Sequence, residues 1–268
     1  MSTLLSYLAF AFSLVCYICA GSLYVQQFFK QSSTLIKYAQ PSLMLALIGH
    51  LGILFLSTQQ HSGEQLSLSF VATMLAWLVT LTMFITHKFI RNLLFLPVVC
   101  FVSAFIILID LFFPATTGIT VTMSVGMIAH ILLSLVAFGL LSISMLYACQ
   151  LAYIKHQLKQ KSRTMIGGHL PPLQSVERIL LQLMSLGTVL LFLALVSGFI
   201  FIPNMFKEGY AHKTILSSIA LCCYTLCIGL HHFIGLKARS TIIFNFLGLF
   251  LLTLGYFGSR LVKDFLLT

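Results

Sequence analysis

Charge, and negative charge most of all, is what this sequence has least of. Among 268 residues there are five Asp and Glu against fifteen Lys and Arg, and charged residues make up 7%. A soluble domain carries about 25%, so a water-facing surface is excluded and lipid must be the solvent. There is no Walker loop, no dinucleotide glycine fingerprint after a strand and no nucleophile elbow. No CxxCH occurs, which excludes a c-type cytochrome with its own covalent haem. The N-terminus lacks a basic n-region and a small-residue cleavage site, so the first hydrophobic run is expected to stay as a span. No inverted repeat and no span broken at its centre by adjacent Gly and Pro is visible, which argues against secondary transport.

What is abundant is hydrocarbon. Hydrophobic residues are 59% of the chain, and its mean hydropathy is +1.05. Runs near 20 residues recur along the whole length, each able to cross a core of about 30 Å. The expected fold is all-α, a polytopic transmembrane helical bundle forming one integral membrane domain over residues 1–268. Eight spans are placed near residues 4–26, 39–58, 66–86, 93–113, 120–150, 179–202, 213–235 and 241–262. The net charge of +10 reports topology here, not nucleic acid. Lys30, Lys37, Lys88, Arg91, Lys155, Lys159, Lys161, Arg163, Arg178, Lys237 and Arg239 follow the odd-numbered spans, leaving Lys207, Lys213, Arg260 and Lys263 opposite. The positive-inside rule puts the first group in the cytoplasm and both termini outside. In the longest inner loop, Gly167-Gly168 and Pro171-Pro172 should end a helix running out of span five. That loop reads as a basic connector or as a surface for a partner.

The seven cysteines fall mostly within spans and read as small apolar groups, the Cys16/Cys19 pair included. Histidine is more informative. His61, His87, His156, His169 and His212 fall in loops or at span ends, where interfacial roles suffice. His50, His130, His231 and His232 lie inside spans or at their inner margin. A buried imidazole without a partner costs several kcal/mol, so each is either a functional ligand or a neutral group bonding across helices. By helical rise, His50 and His130 lie about 15–17 Å deep and His231 about 6 Å above the inner end. Histidines at two levels of an apolar bundle suit haem. Zinc fits less well, having no ligand cluster, and a proton relay has only Asp110 as an acidic neighbour. His130 and Ser134 share a helix face, and Asn245, Gly248, Gly255 and Ser259 form a small, polar stripe suited to close helix packing.

The segment "IGLHHFIGLKARSTIIFNFLGLFLLTLGYFGSR" resembles the C-terminal part of the cytochrome c assembly (CcsA) family. There a histidine ends one span, a "GWRGRR"-like turn follows, and the last span closes on a "TYFG"-like sequence. Here the turn runs from Gly235 to Arg239 and the close is Tyr256-Phe257-Gly258. "GMIAHILLSLVAFGLLSISMLYACQLAYI" is similar to the family's other histidine-bearing helix, and "PPLQSVERILLQLMSLGTVLLFLALVSGFIF" to the connector and span after it. The resemblance covers residues 120–262, and the layout is most like the YpjD/HemX branch. It implies a bacterial inner-membrane protein that handles non-covalent haem b. His130 falls where the family ligates an externally held haem, and His231 where it ligates a transmembrane haem. His50, in "IGHLGIL", matches a histidine of that branch and is the third expected iron ligand; His232 has no counterpart.

Two departures limit what the resemblance implies. The tryptophan-rich loop of the WGxxWxWDPK type reads "IPNMFKEGYAHKTIL" here, with only Lys213 in common, and the chain's single tryptophan is Trp77. The family's second external histidine has no match in "LVKDFLLT". The expected function is therefore haem handling linked to cytochrome c maturation or haem homeostasis, without catalysis of thioether formation. Its expected partners are haem, membrane lipid and other membrane proteins. The alternative is a HemX-like accessory or regulatory subunit acting on a partner enzyme or transporter.

Overall fold

The computed structural model describes residues 2–30, 33–60, 68–89, 94–112, 125–159, 172–202 and 211–255. His61, His169, Gly167-Gly168, Pro171, residues 203–210, Tyr256-Phe257-Gly258 and Ser259 lie outside them. Among the described residues every regular element is a helix, as expected where no water can satisfy an open backbone. The eight are α1 (Ser2–Lys30), α2 (Ser33–Gln60), α3 (Leu68–Phe89), α4 (Leu96–Phe112), α5 (Val125–Lys159), α6 (Leu173–Phe201), α7 (Ala211–Ile234) and α8 (Ala238–Thr253). Six are long and apolar enough to cross a membrane; α4 and α8 are shorter apolar helices.

The burial pattern confirms which solvent these helices face. Along α6 the buried positions step through Val176, Leu180, Met184, Gly187, Leu191, Ala194 and Gly198, one face of a helix. The opposite face exposes Leu186, Val189, Phe192, Val196 and Phe199. A continuous outer face of large apolar groups such as these is what lipid permits and water does not.

Several ends differ from the expected spans. α2 begins at Ser33 rather than near residue 39, with Pro41 inside it. α5 continues to Lys159 over 35 residues, about 52 Å long, more than a hydrocarbon core of about 30 Å requires. α6 starts at Leu173, directly after Pro172, instead of near residue 179. Within the described residues α5 begins at Val125, with His130 in its second turn.

The helices fall into two compact units, α1–α4 and α5–α8. In the first, α1 and α3 each pack on α2 and α4; in the second, α5 and α7 each pack on α6 and α8. Each unit is thus a closed ring of four helices. The contacts between α5 and α6 run antiparallel: Gly126 meets Phe201, His130 meets Ser197, and Gly187 meets Leu141.

Candidate functional site

In the second unit, His130 on α5 points at α6. Its Nδ1 lies 2.8 Å from the Ala194 carbonyl oxygen and 3.1 Å from Ser197 Oγ. A carbonyl only accepts, so Nδ1 carries the hydrogen and donates it, which leaves the lone pair on Nε2. This is the arrangement in which a histidine ligates a metal through Nε2 while a main-chain oxygen fixes the ring. Ser134, expected on the same face, donates to the His130 carbonyl, 2.8 Å away.

His231 occupies the last turn of α7. Gly235, with φ +70°, caps that helix by donating its N–H to the His231 carbonyl at 3.1 Å. Leu236 and Lys237 complete the turn, and the Lys237 carbonyl accepts from Ser240 and Thr241 at the start of α8. The ring's Nδ1 is buried without a hydrogen-bond partner, while the residue as a whole is half-buried, so its exposure lies on other atoms. His232 next to it is exposed and lies edge-on to Phe233.

Between these two histidines the unit is closed by a polar knot. Asn245 Nδ2 donates to Ser144 Oγ at 2.9 Å and approaches Met184 Sδ at 3.9 Å, and the Tyr224 hydroxyl donates to the Asn245 carbonyl at 3.3 Å. One side chain from each of the four helices takes part. Gly248 makes room for it: a Cβ there would stand 2.6 Å from the Tyr224 ring. The Asn245–Gly248 stripe is packing, as its spacing suggested.

His50 belongs to the other unit. It is fully buried on α2, its Nδ1 shares a 2.9 Å hydrogen bond with the Tyr17 hydroxyl of α1, and its Nε2 has no partner. A second tyrosine, which sequence reasoning did not single out, lies on the same α1 face. Tyr24, seven residues beyond Tyr17, meets His87 edge to face at 5.6 Å. His87 was expected at the interface, yet it is buried; α3 continues to Phe89, and the Tyr24 ring covers the imidazole. The repeat of Tyr17 and Tyr24 at a two-turn spacing was the available signal. Among the described residues no three His, Cys, Asp or Glu come together as a metal site. Cys16 and Cys19 are free thiols, the latter exposed.

The sequence pattern of the family described as "Cytochrome C assembly protein" matches residues 5–267. The chain belongs to that family. The match runs through both units, beyond the residues 120–262 that carried the resemblance. The chain is 34% identical over 203 residues to "Inner membrane protein YpjD" of Escherichia coli (strain K12), covering 76% of this chain and 77% of the relative. The protein of the same name in Escherichia coli O157:H7 matches equally. Among solved structures, "Cytochrome c Heme Lyase CcmF" aligns with a TM-score of 0.64 at 13% identity, over 95% of this chain and 46% of that chain. At that identity the likeness concerns the fold, and this chain spans less than half of the lyase.

Proposed function

We propose that this member of the cytochrome c assembly family is a haem-handling protein of the bacterial inner membrane, acting in cytochrome c maturation or haem homeostasis. His130 and His231 are its iron ligands, and the cofactor is haem b. The observation that carries this reading is the His130 ring, whose Nδ1–H is held by the Ala194 carbonyl so that Nε2 keeps its lone pair. His231 supports it as a half-buried imidazole whose Nδ1 is buried without a hydrogen-bond partner. Haem supplies an iron that accepts imidazole nitrogen and a macrocycle that needs an apolar wall; the large apolar side chains exposed on α6 and α7 offer one. His50, the third expected ligand, is enclosed on every side and gives a macrocycle no edge to enter by.

The thioether-forming step is assigned elsewhere, because the family's tryptophan-rich platform has no counterpart and Trp77, on α3, donates to the Leu47 carbonyl. Full-length protein purified from haem-replete cells tests the reading: a Soret band is expected, lost or shifted in His130→Ala and His231→Ala. A colourless protein would favour the accessory-subunit reading, for which the inner extension of α5 with Lys155 and Lys159 is the natural contact surface. Holocytochrome c formed in a host supplied with this chain as its sole maturation factor would overturn the non-catalytic assignment.

A further inference from the structure

The α1–α4 unit contains a column of buried polar groups that haem handling does not use. On α3, Thr73, Thr80 and His87 recur every seven residues, all buried. On α1, Tyr17 and Tyr24 keep the same spacing and are fully enclosed. The two rows face each other: the Tyr17 hydroxyl lies towards Thr80, and Tyr24 meets His87. α2 contributes His50, bonded to Tyr17 and beside the main chain of Thr73. α4 contributes Ser103, whose Oγ is 2.7 Å from Thr80 Oγ1, and the buried Cys100. All four helices turn their polar groups onto one line, from Thr73 near the start of α3 to His87 near its end. Fourteen residues of helix rise about 21 Å, two thirds of a hydrocarbon core of about 30 Å.

The line has gaps. Thr73 Oγ1, His50 Nε2 and Tyr24 Oη are buried without hydrogen-bond partners, as is Ser13 Oγ one turn above Tyr17. Buried polar atoms are almost always satisfied by protein or by ordered water, and unmet groups recurring along one line are where bridging water belongs. Hydroxyls, water and an imidazole with one nitrogen on each side form a chain along which a proton can hop. Each group accepts a proton on one side and releases another on the opposite side, and no electron moves.

We propose that α1–α4 form a water-bridged proton relay in which Thr73, His50, Tyr17, Thr80 and Tyr24 link the His87 end of the bundle to its opposite end. The titratable groups facing it are Tyr17 and Tyr24 from α1, His50 from α2, His87 from α3 and Cys100 from α4. The relay does not depend on haem, so it stands or falls separately from the proposed function.

Two measurements on the full-length chain test it. In liposomes holding a pH-sensitive dye, with a valinomycin-set potassium potential, the protein is expected to raise proton flux severalfold above empty vesicles. Tyr17→Phe and Thr80→Val keep shape and remove a hydroxyl, and each should bring the flux close to that of empty vesicles, whereas His231→Ala should leave it intact. Flux unchanged in both hydroxyl variants, or never above empty vesicles, would overturn the relay. Hydroxyl-radical labelling by synchrotron X-rays then reads the water itself, without any variant. Tyr24 and Tyr224 are both fully buried, but only Tyr224 has its hydroxyl bonded, to the Asn245 carbonyl. Tyr24 should be labelled severalfold more than Tyr224; equal labelling would show a dry column and sink the proposal.

Discussion

In the α5–α8 unit the polar residue Asn245 is bonded to Ser144 and Tyr224 and touches Met184, so the four helices are tied together at that level. In the α1–α4 unit, ringed in the same order, the middle is a line of hydroxyls and imidazoles in which Ser13, Tyr24, His50 and Thr73 leave atoms unbonded; in the α5–α8 unit the unbonded groups, on Tyr147, Gln150, His231 and Thr241, lie outside the knot. Satisfied polar groups in a membrane interior act as glue, since nothing else there offers a hydrogen bond. Unsatisfied ones carry a cost that only water or a ligand removes. The knot at Asn245 holds its helices in place; the line in α1–α4, on the relay proposed for it, keeps a route open. One helix arrangement therefore serves two purposes, set by which side chains reach the centre. The histidines proposed for iron sit towards the ends of the tied unit, while His50 sits within the open line.

Membrane orientation has an all-or-none test. Reporter fusions after Gly167 should read as cytoplasmic and fusions after Thr268 as external, on the eleven cations assigned inside against four outside. The reverse pattern would invert every level assigned to a histidine. Next in size is the division of haem between the units. His231→Ala should cut haem occupancy at least about tenfold, since disturbing a ligand's second shell alone costs that much, and added imidazole should restore part of the signal. His130→Ala should remove the signal of its own level. His50→Ala should leave the Soret band in place, and so should His232→Ala, whose side chain points about 100° away from His231. A band lost with His50 would move the iron into the α1–α4 unit and erase the contrast.

A smaller effect separates the tied interior of α5–α8 from an open helix face of α1–α4 by packing. Gly248→Leu drives a side chain into the Tyr224 ring and should cost about 2–3 kcal/mol, in the range of overpacked cores. Gly52→Leu, on α2, meets nothing within 4 Å and should change unfolding by less than about 0.5 kcal/mol. Steric trapping in bicelles measures both. Equal losses would show that the knot at Asn245 is no tighter than the face of α2.

Helix number and order were legible in the sequence because a run of about 20 apolar residues has few alternatives in lipid. Helix ends were less so. The tail "LAYIKHQLK" leaves the apolar pattern but keeps good helix formers, so α5 continues to Lys159, and hydropathy stops where the helix does not. The depth of His231 followed from counting back to Gly235, whose turn the "GLKA" stretch announces. What could not be read was partnership. Tyr17 and His50 are 33 positions apart, and the cover that Tyr24 gives His87 depends on which helices of the ring face one another. Lys88 and Arg91 nearby made His87 look interfacial, although its own side chain turns inward.

The smallest expected effect lies inside the polar line, where hydrogen bonds contribute least to stability. Tyr17→Phe leaves His50 Nδ1 without its partner as well as Nε2, and should cost about 1–2 kcal/mol, the upper range for a hydrogen bond inside a membrane protein. Thr80→Val should cost only about 0.5 kcal/mol. Thr80 already donates to the Ala76 carbonyl of its own helix at 2.8 Å, so its contact with Ser103 uses an acceptor site and little more. Once that acceptor is gone, the Ser103 hydroxyl on α4 can turn to its own helix backbone, as serines in membrane helices commonly do. A double-mutant cycle with Ser103→Ala isolates the pair and should give a coupling near about 0.5 kcal/mol. A coupling of about 2 kcal/mol or more would mean that Thr80 and Ser103 lock the line shut. The α1–α4 unit would then be tied at its centre in the same way as its counterpart.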